Sequence, residues 1–243
     1  VINLSSAARS ADGDKRLVKL LNDYSRRGPT TGFGFVAQGA EKGRRRELAI
    51  VCRVPSMEPE VIGACAAAGA DALEMSAVAI TPAALAQVEE AMTIPWGLSL
   101  REGSYEAWGG VVGAEGSSAA EWITLTMDDD ARFLAYKGIA RVLEVDINTK
   151  QETLRAISAS GADVVIATAS REATGPLSIA EALRLRLVCE LLKQPVLIAA
   201  GLLHGDGGPR LAKECGAAGV LLETTEPQEV LALVHALRPP EQA

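Results

Sequence analysis

Residues 195–225 read PVLIAAGLLHGDGGPRLAKECGAAGVLLETT, and the order of residue types in this stretch decides the fold. Pro195 to Ala200 is an apolar run too short for a free-standing helix, and Gly201 ends it. Gly205, Gly207, Gly208 and Pro209 make a loop that can enter a helix, with the proline near the first turn. Arg210 to Cys215 continues as that helix. Gly216 and Gly219 bracket the turn back, and Val220, Leu221 and Leu222 form a second buried strand. A strand–loop–helix–strand unit implies two parallel strands under a covering helix. Units of this kind keep their chemistry in the loops that follow the strands.

The same rhythm extends back to Leu48. Apolar strand segments fall at Leu48–Val54, Ala72–Ser76, Trp96–Leu100, Trp122–Met127, Val142–Asp146, Val164–Thr168, Val196–Ala200 and Val220–Glu223. Segments of helical spacing lie between most of them: Glu58–Ala68, Pro82–Met92, Asp129–Tyr136, Lys150–Ser160, Ser178–Leu192 and Pro209–Cys215, with Glu226–Leu237 after the last strand. The glycine-rich interval from Leu100 to Trp122 reads as a loop with a short helix. Gly-Ala-Asp precedes a strand twice, at Gly69–Asp71 and Gly161–Asp163, and Gly216–Ala218 fills the same place a third time. A glycine there predicts a left-handed cap at the helix end. Eight strands alternating with helices predict an α/β fold, a single (β/α)8 TIM barrel over residues 48–243. Ahead of it, residues 1–47 form an N-terminal extension with a helix at Lys15–Arg26 and an extra strand or hairpin around Gly32–Val36. The whole of 1–243 is read as one domain. An open doubly wound sheet would need a glycine-rich phosphate turn after its first strand, and Arg53–Met57 has none.

Composition bounds the partners. The net charge is −7 over 243 residues, without the basic face that nucleic acid requires. The one basic run, Lys42 to Arg46, reads as a solvated turn or subunit contact. No apolar run reaches the length of a membrane helix, about 20 residues. The first residues lack the basic-then-apolar order of a secretory signal. Cys52, Cys65, Cys189 and Cys215 are dispersed in apolar segments with no CxxC, which predicts reduced core residues and a cytoplasmic setting. A homodimer is the expectation from base rates.

In a barrel the side chains at the carboxyl ends of the strands are the first candidates for a site. The catalytic candidates are Glu74, Glu144 and Asp146; the last two share one strand face, where bare carboxylates are costly unless paired. With Glu223 they define either a general-base or metal site, or a structural polar layer matched by arginines. Substrate-binding candidates are Arg53, Ser76, Ser99, Arg101, Thr126 and Thr168. Gly201, Gly205 and Thr224 are candidates for a phosphate at the ends of the seventh and eighth strands. No strand interior carries a Schiff-base lysine. His204 is the one histidine in a strand-end loop.

Three pieces, LEVDINTKQETLRAISASGADVVIA, PVLIAAGLLHGDGG and GAAGVLLET, resemble the C-terminal third of flavin-dependent TIM barrels such as nitronate monooxygenases. More distantly they are similar to IMP dehydrogenase and ribulose-phosphate-binding barrels. The resemblance implies that the second and third pieces hold a flavin or a substrate phosphate. The loop after the sixth strand, Ser170 to Pro176, has no histidine where the nitronate monooxygenases have one.

Two functions follow as expectations. One is an enzyme acting on a small anionic metabolite, an oxidoreductase, lyase or isomerase, with FMN or a divalent metal as the cofactors to consider. The other is a non-catalytic barrel serving as a binding or structural subunit.

Overall fold

A computed structural model describes residues 15–25, 46–55, 58–76, 82–99, 120–135, 138–169, 175–203 and 207–237. Eight strands form one closed ring: β1 Ala49–Val54, β2 Ala72–Ser76, β3 Trp96–Ser99, β4 Trp122–Leu125, β5 Ala140–Asp146, β6 Val164–Thr168, β7 Val196–Ala199 and β8 Gly219–Glu223. Every pairing is parallel, and β8 closes onto β1 with Ala49 opposite Gly219 and Arg53 opposite Glu223. This is a (β/α)8 barrel. The segment around Gly32–Val36 lies outside the described residues.

The helices are α1 Arg16–Ser25, α2 Pro59–Ala67, α3 Pro82–Ala91, α4 Gln151–Ser158, α5 Ile179–Leu191, α6 Gly208–Glu214 and α7 Pro227–Ala236. Ser178 and Glu181 make a reciprocal capping box at the start of α5, satisfying donors the first turn would leave open. The helix expected over Asp129–Tyr136 is instead a five-residue 3-10 helix, Ala131–Ala135. The three acids Asp128–Asp130 favour local turns: Asp129 takes the Thr126 N–H and Asp130 the Arg132 N–H, which competes with a regular helix start.

Strand side chains alternate between two apolar layers. Outward residues, among them Ile50, Cys52, Leu73, Met75, Leu98 and Ile198, pack under the helices. All four cysteines are free thiols, three of them buried. Inward residues, among them Val51, Ala72, Trp122, Val142, Ile166, Leu197 and Leu221, fill the barrel, together with Leu17 and Leu21 of α1. That helix plugs the amino-terminal end of the ring. The aspartates of the two Gly-Ala-Asp motifs hold the floor around it. Asp163 pairs with Lys15 at 2.7 Å and with Arg141 at 3.1 Å. Asp71 pairs with Arg46 at 2.8 Å and accepts from Tyr24 and the Ile50 N–H. Gly69 and Gly216 adopt the positive φ expected of a helix cap, whereas Gly161 does not. A Cβ on Gly161 would come 2.8 Å from Arg141 Nη1, so that glycine makes room for the guanidinium. No helix of the described residues is long and apolar enough to cross a membrane.

Candidate functional site

With one end plugged, the chemistry-bearing side chains gather at the other. Arg53 stands at the inner face of β1, opposite Glu74 on β2 and Glu223 on β8. It is 2% exposed. Its Nε donates to Glu74 Oε1 at 2.5 Å. Its Nη2 forms an ion pair with Glu144 Oε1 from β5, without hydrogen-bond alignment, and its Nη1 lies 3.9 Å from Glu223 Oε2. Burial works to lower the Arg53 pKa, but the charges and contacts of Glu74 and Glu144 outweigh it and hold the pKa above its ordinary value.

Glu74 is 1% exposed and fully engaged. Its second oxygen accepts from Thr124 Oγ1 at 2.5 Å and Trp122 Nε1 at 3.2 Å, both from β4. The Trp122 ring lies where a side chain on Gly97 would be: a Cβ there would sit 2.2 Å from the indole. Gly97 and Trp122 are register partners on β3 and β4, so the small residue on one strand admits the large one on the next. Trp122 was not among the sequence candidates for the site, whereas Thr124 belongs to the polar strand ends that the sequence marks out. The signal was a mid-strand glycine paired with a tryptophan, two residues before a threonine on the same face.

The carboxylates therefore differ. Glu74 is sealed, the Glu144 side chain is 20% exposed and that of Glu223 is 51% exposed. Ser76 and Ser99 are register partners, and Ser76 Oγ is buried without a hydrogen-bond partner among the described residues. Asp146, one turn of the pleat above Glu144, accepts from the Asn148 N–H and side-chain amide at 2.6 and 2.8 Å. Thr168 faces it across the β5–β6 ladder and donates to the Val145 carbonyl at 3.4 Å.

Other candidates stand apart from this group. Thr126 is exposed and uses its N–H and hydroxyl to bind Asp129 Oδ2. Arg101 and Gly205 lie outside the described residues, as does His204. Gly201 sits in a 3-10 helix, Ala200–Leu202, with open space over its Cα, so it forms no close cradle. Thr224 Oγ1 accepts the Glu226 N–H at 2.9 Å, beside the exposed Glu223. A flavin phosphate would meet a carboxylate there and one threonine hydroxyl already serving a turn; the described residues do not fit that group. Among the described residues, no three acid, histidine or cysteine side chains come together as metal ligands would. The acids converge on a guanidinium.

No family model matches the chain, and no curated protein matches it. Solved structures do. Tryptophan synthase from M. tuberculosis, in its aminoacrylate- and BRD0059-bound form, superposes with a TM-score of 0.59 at 14% identity, over 81% of this chain and 94% of that one. The same enzyme in space group F222 gives 0.59 at 18% identity, over 80% and 94%. A protein from Aquifex aeolicus VF5 gives 0.56 at 13% identity, over 92% and 100%. At these identities the likeness is one of fold. It supports the TIM barrel, but not the flavin-dependent family that the C-terminal pieces resemble.

Proposed function

We propose that this barrel is an enzyme that transfers protons on a small metabolite, of the lyase or isomerase kind, with Glu144 as its acid–base group. The observation that supports this is the grading of three carboxylates around one buried arginine. Glu74 anchors Arg53 from below, Arg53 holds Glu144, and Glu144 keeps part of its side chain open to the mouth. A carboxylate that a fixed cation orients and that stays partly open can reach a substrate proton. Proton transfer is the chemistry that lyases and isomerases need and that carboxylates supply unaided. The fold is shared with an enzyme, tryptophan synthase, although one fold hosts many activities.

Arg53 serves the acids in this reading, not the substrate. An anionic group would have to approach the Nη1 corner near Glu223. The test is to incubate the purified protein with a mixed metabolite extract and follow consumption and release by mass spectrometry. Wild type should change specific metabolites, and Glu144→Gln should not, while both melt alike. Equal turnover in the variant would remove Glu144 from the reaction.

One observation favours a second reading, a non-catalytic scaffold: Arg53 and Glu74 are almost completely enclosed, as a purely structural polar layer would be. In that case no metabolite is altered, and Arg53→Met lowers stability without any other effect.

A further inference from the structure

Outside the barrel wall, between the 3-10 helix Ala131–Ala135 and α4, lies a cleft of about 250 Å³. Its floor is made by Leu125 and Leu143, outward residues of β4 and β5, and its walls include Leu134 and Ile157. It exists because the fourth helix position holds a five-residue 3-10 helix, too short to cover both strands. An apolar cavity of about 150 Å³ already admits benzene, so this one has room for a ring with a short tail.

The polar rim gives the cleft a sign. Asp129 and Asp130 both border it. Asp130 is neutralised by Arg132, whose Nη2 lies 2.5 Å from its carboxylate. The partners of Asp129 among the described residues are uncharged: its Oδ2 takes the N–H and hydroxyl of Thr126 at 2.6 and 2.9 Å. No described lysine or arginine forms an ion pair with it. An apolar chamber with one half-buried carboxylate that no described cation pairs complements a molecule with an apolar body and a cationic head.

We propose that this cleft is a binding site for a small amine carried on an apolar ring or chain, seated on Leu125 and Leu143 with its ammonium toward Asp129. The site is separate from the strand-end mouth and does not depend on how the mouth is read.

The probe is 2-phenylethylamine, titrated into the full chain and followed by calorimetry and ligand-observed NMR. Saturable one-to-one binding is expected. Asp129→Asn keeps an acceptor for Thr126 but removes the charge, and should weaken binding about tenfold, as loss of a charge-assisted contact does. The neutral analogue 2-phenylethanol should bind wild type more weakly by a similar factor. Ala156→Trp fills the cleft from an exposed position on α4, and Ala131→Phe fills it from the opposite wall. Either should abolish binding, and a melting curve like wild type identifies the variant that remains folded. No saturable binding, binding that survives both filling variants, or equal affinity for the amine and the alcohol would each overturn the proposal.

Discussion

At the residue scale, the molecule turns on Arg53 and the three glutamates around it. Removing one partner of a buried ion pair leaves an uncompensated charge, at a cost of about 3–5 kcal/mol. Arg53→Met should lose stability on that order by urea denaturation, because Glu74 is sealed. The double variant Arg53→Met with Glu74→Gln should recover part of the loss, since the amide removes the buried charge and keeps an acceptor for Thr124 and Trp122. Gly97→Ala tests the neighbouring fit. Its Cβ would overlap the Trp122 ring, and overpacking of that kind costs about 1–3 kcal/mol. The fluorescence of Trp122 should shift at the same time. Glu74, Glu144 and Arg53 were legible in the sequence because strand alternation alone puts charged residues on the inner face. Their order of exposure was not, since it depends on how far up the ring each strand stands.

At the element scale, α1 is the part whose role the sequence concealed. Its spacing predicted a helix at Lys15–Arg26, and the structure has one at Arg16–Ser25. Nothing local reveals that Leu17 and Leu21 enter the ring, because their neighbours come from strands far along the chain. Leu17→Ala and Leu21→Ala should each cost about 2–5 kcal/mol, the range for emptying a packed core site. The anchoring aspartates respond to pH in opposite directions. Burial tends to raise the Asp163 carboxyl, but Lys15 and Arg141 overcome it and hold the pKa below the usual 3.8. As pH falls, the unfolded chain protonates this group first. Its stabilisation is present above about pH 3.8 and is lost as pH drops through the folded value. For Asp71, burial outweighs Ile50, Arg46 and Tyr24 and raises the pKa. The folded state then takes up the proton first, so this group contributes more stability as pH falls toward 3.8. Asp163→Asn should therefore flatten the acid limb of a stability–pH curve, and Asp71→Asn should steepen it. Urea titrations from pH 3 to 7 would read both.

At the scale of the whole molecule, closure is the property to test. A closed ring has no edge strand, so β1 and β8 are as enclosed as β5 and β6. Amide exchange in all four should be slow and should share one opening free energy, whereas an open sheet would lose its edges first. The ring was the most legible feature of the chain. Ala72–Ser76 and Val164–Thr168 have the bounds their apolar runs predict, and the other strands differ by one or two residues at an end. Runs bounded by glycine and proline carry that information locally. The helix expected over Asp129–Tyr136 is a 3-10 helix instead because Asp128–Asp130 prefer turns to a helix start. The flavin likeness misled because strand–glycine–strand pieces are common to many barrels, and a phosphate seat depends on which side chain ends β8, here Glu223.

The plug has a consequence for how the protein is made. Its helix is translated long before Leu197, Ala218 and Leu221, the residues that complete its socket. At about 5–20 residues per second, a greasy amphipathic rod travels unsheltered for roughly ten seconds or more before its berth exists. A nascent chain halted before β8 should therefore be a better chaperone client than one in which β8 has emerged.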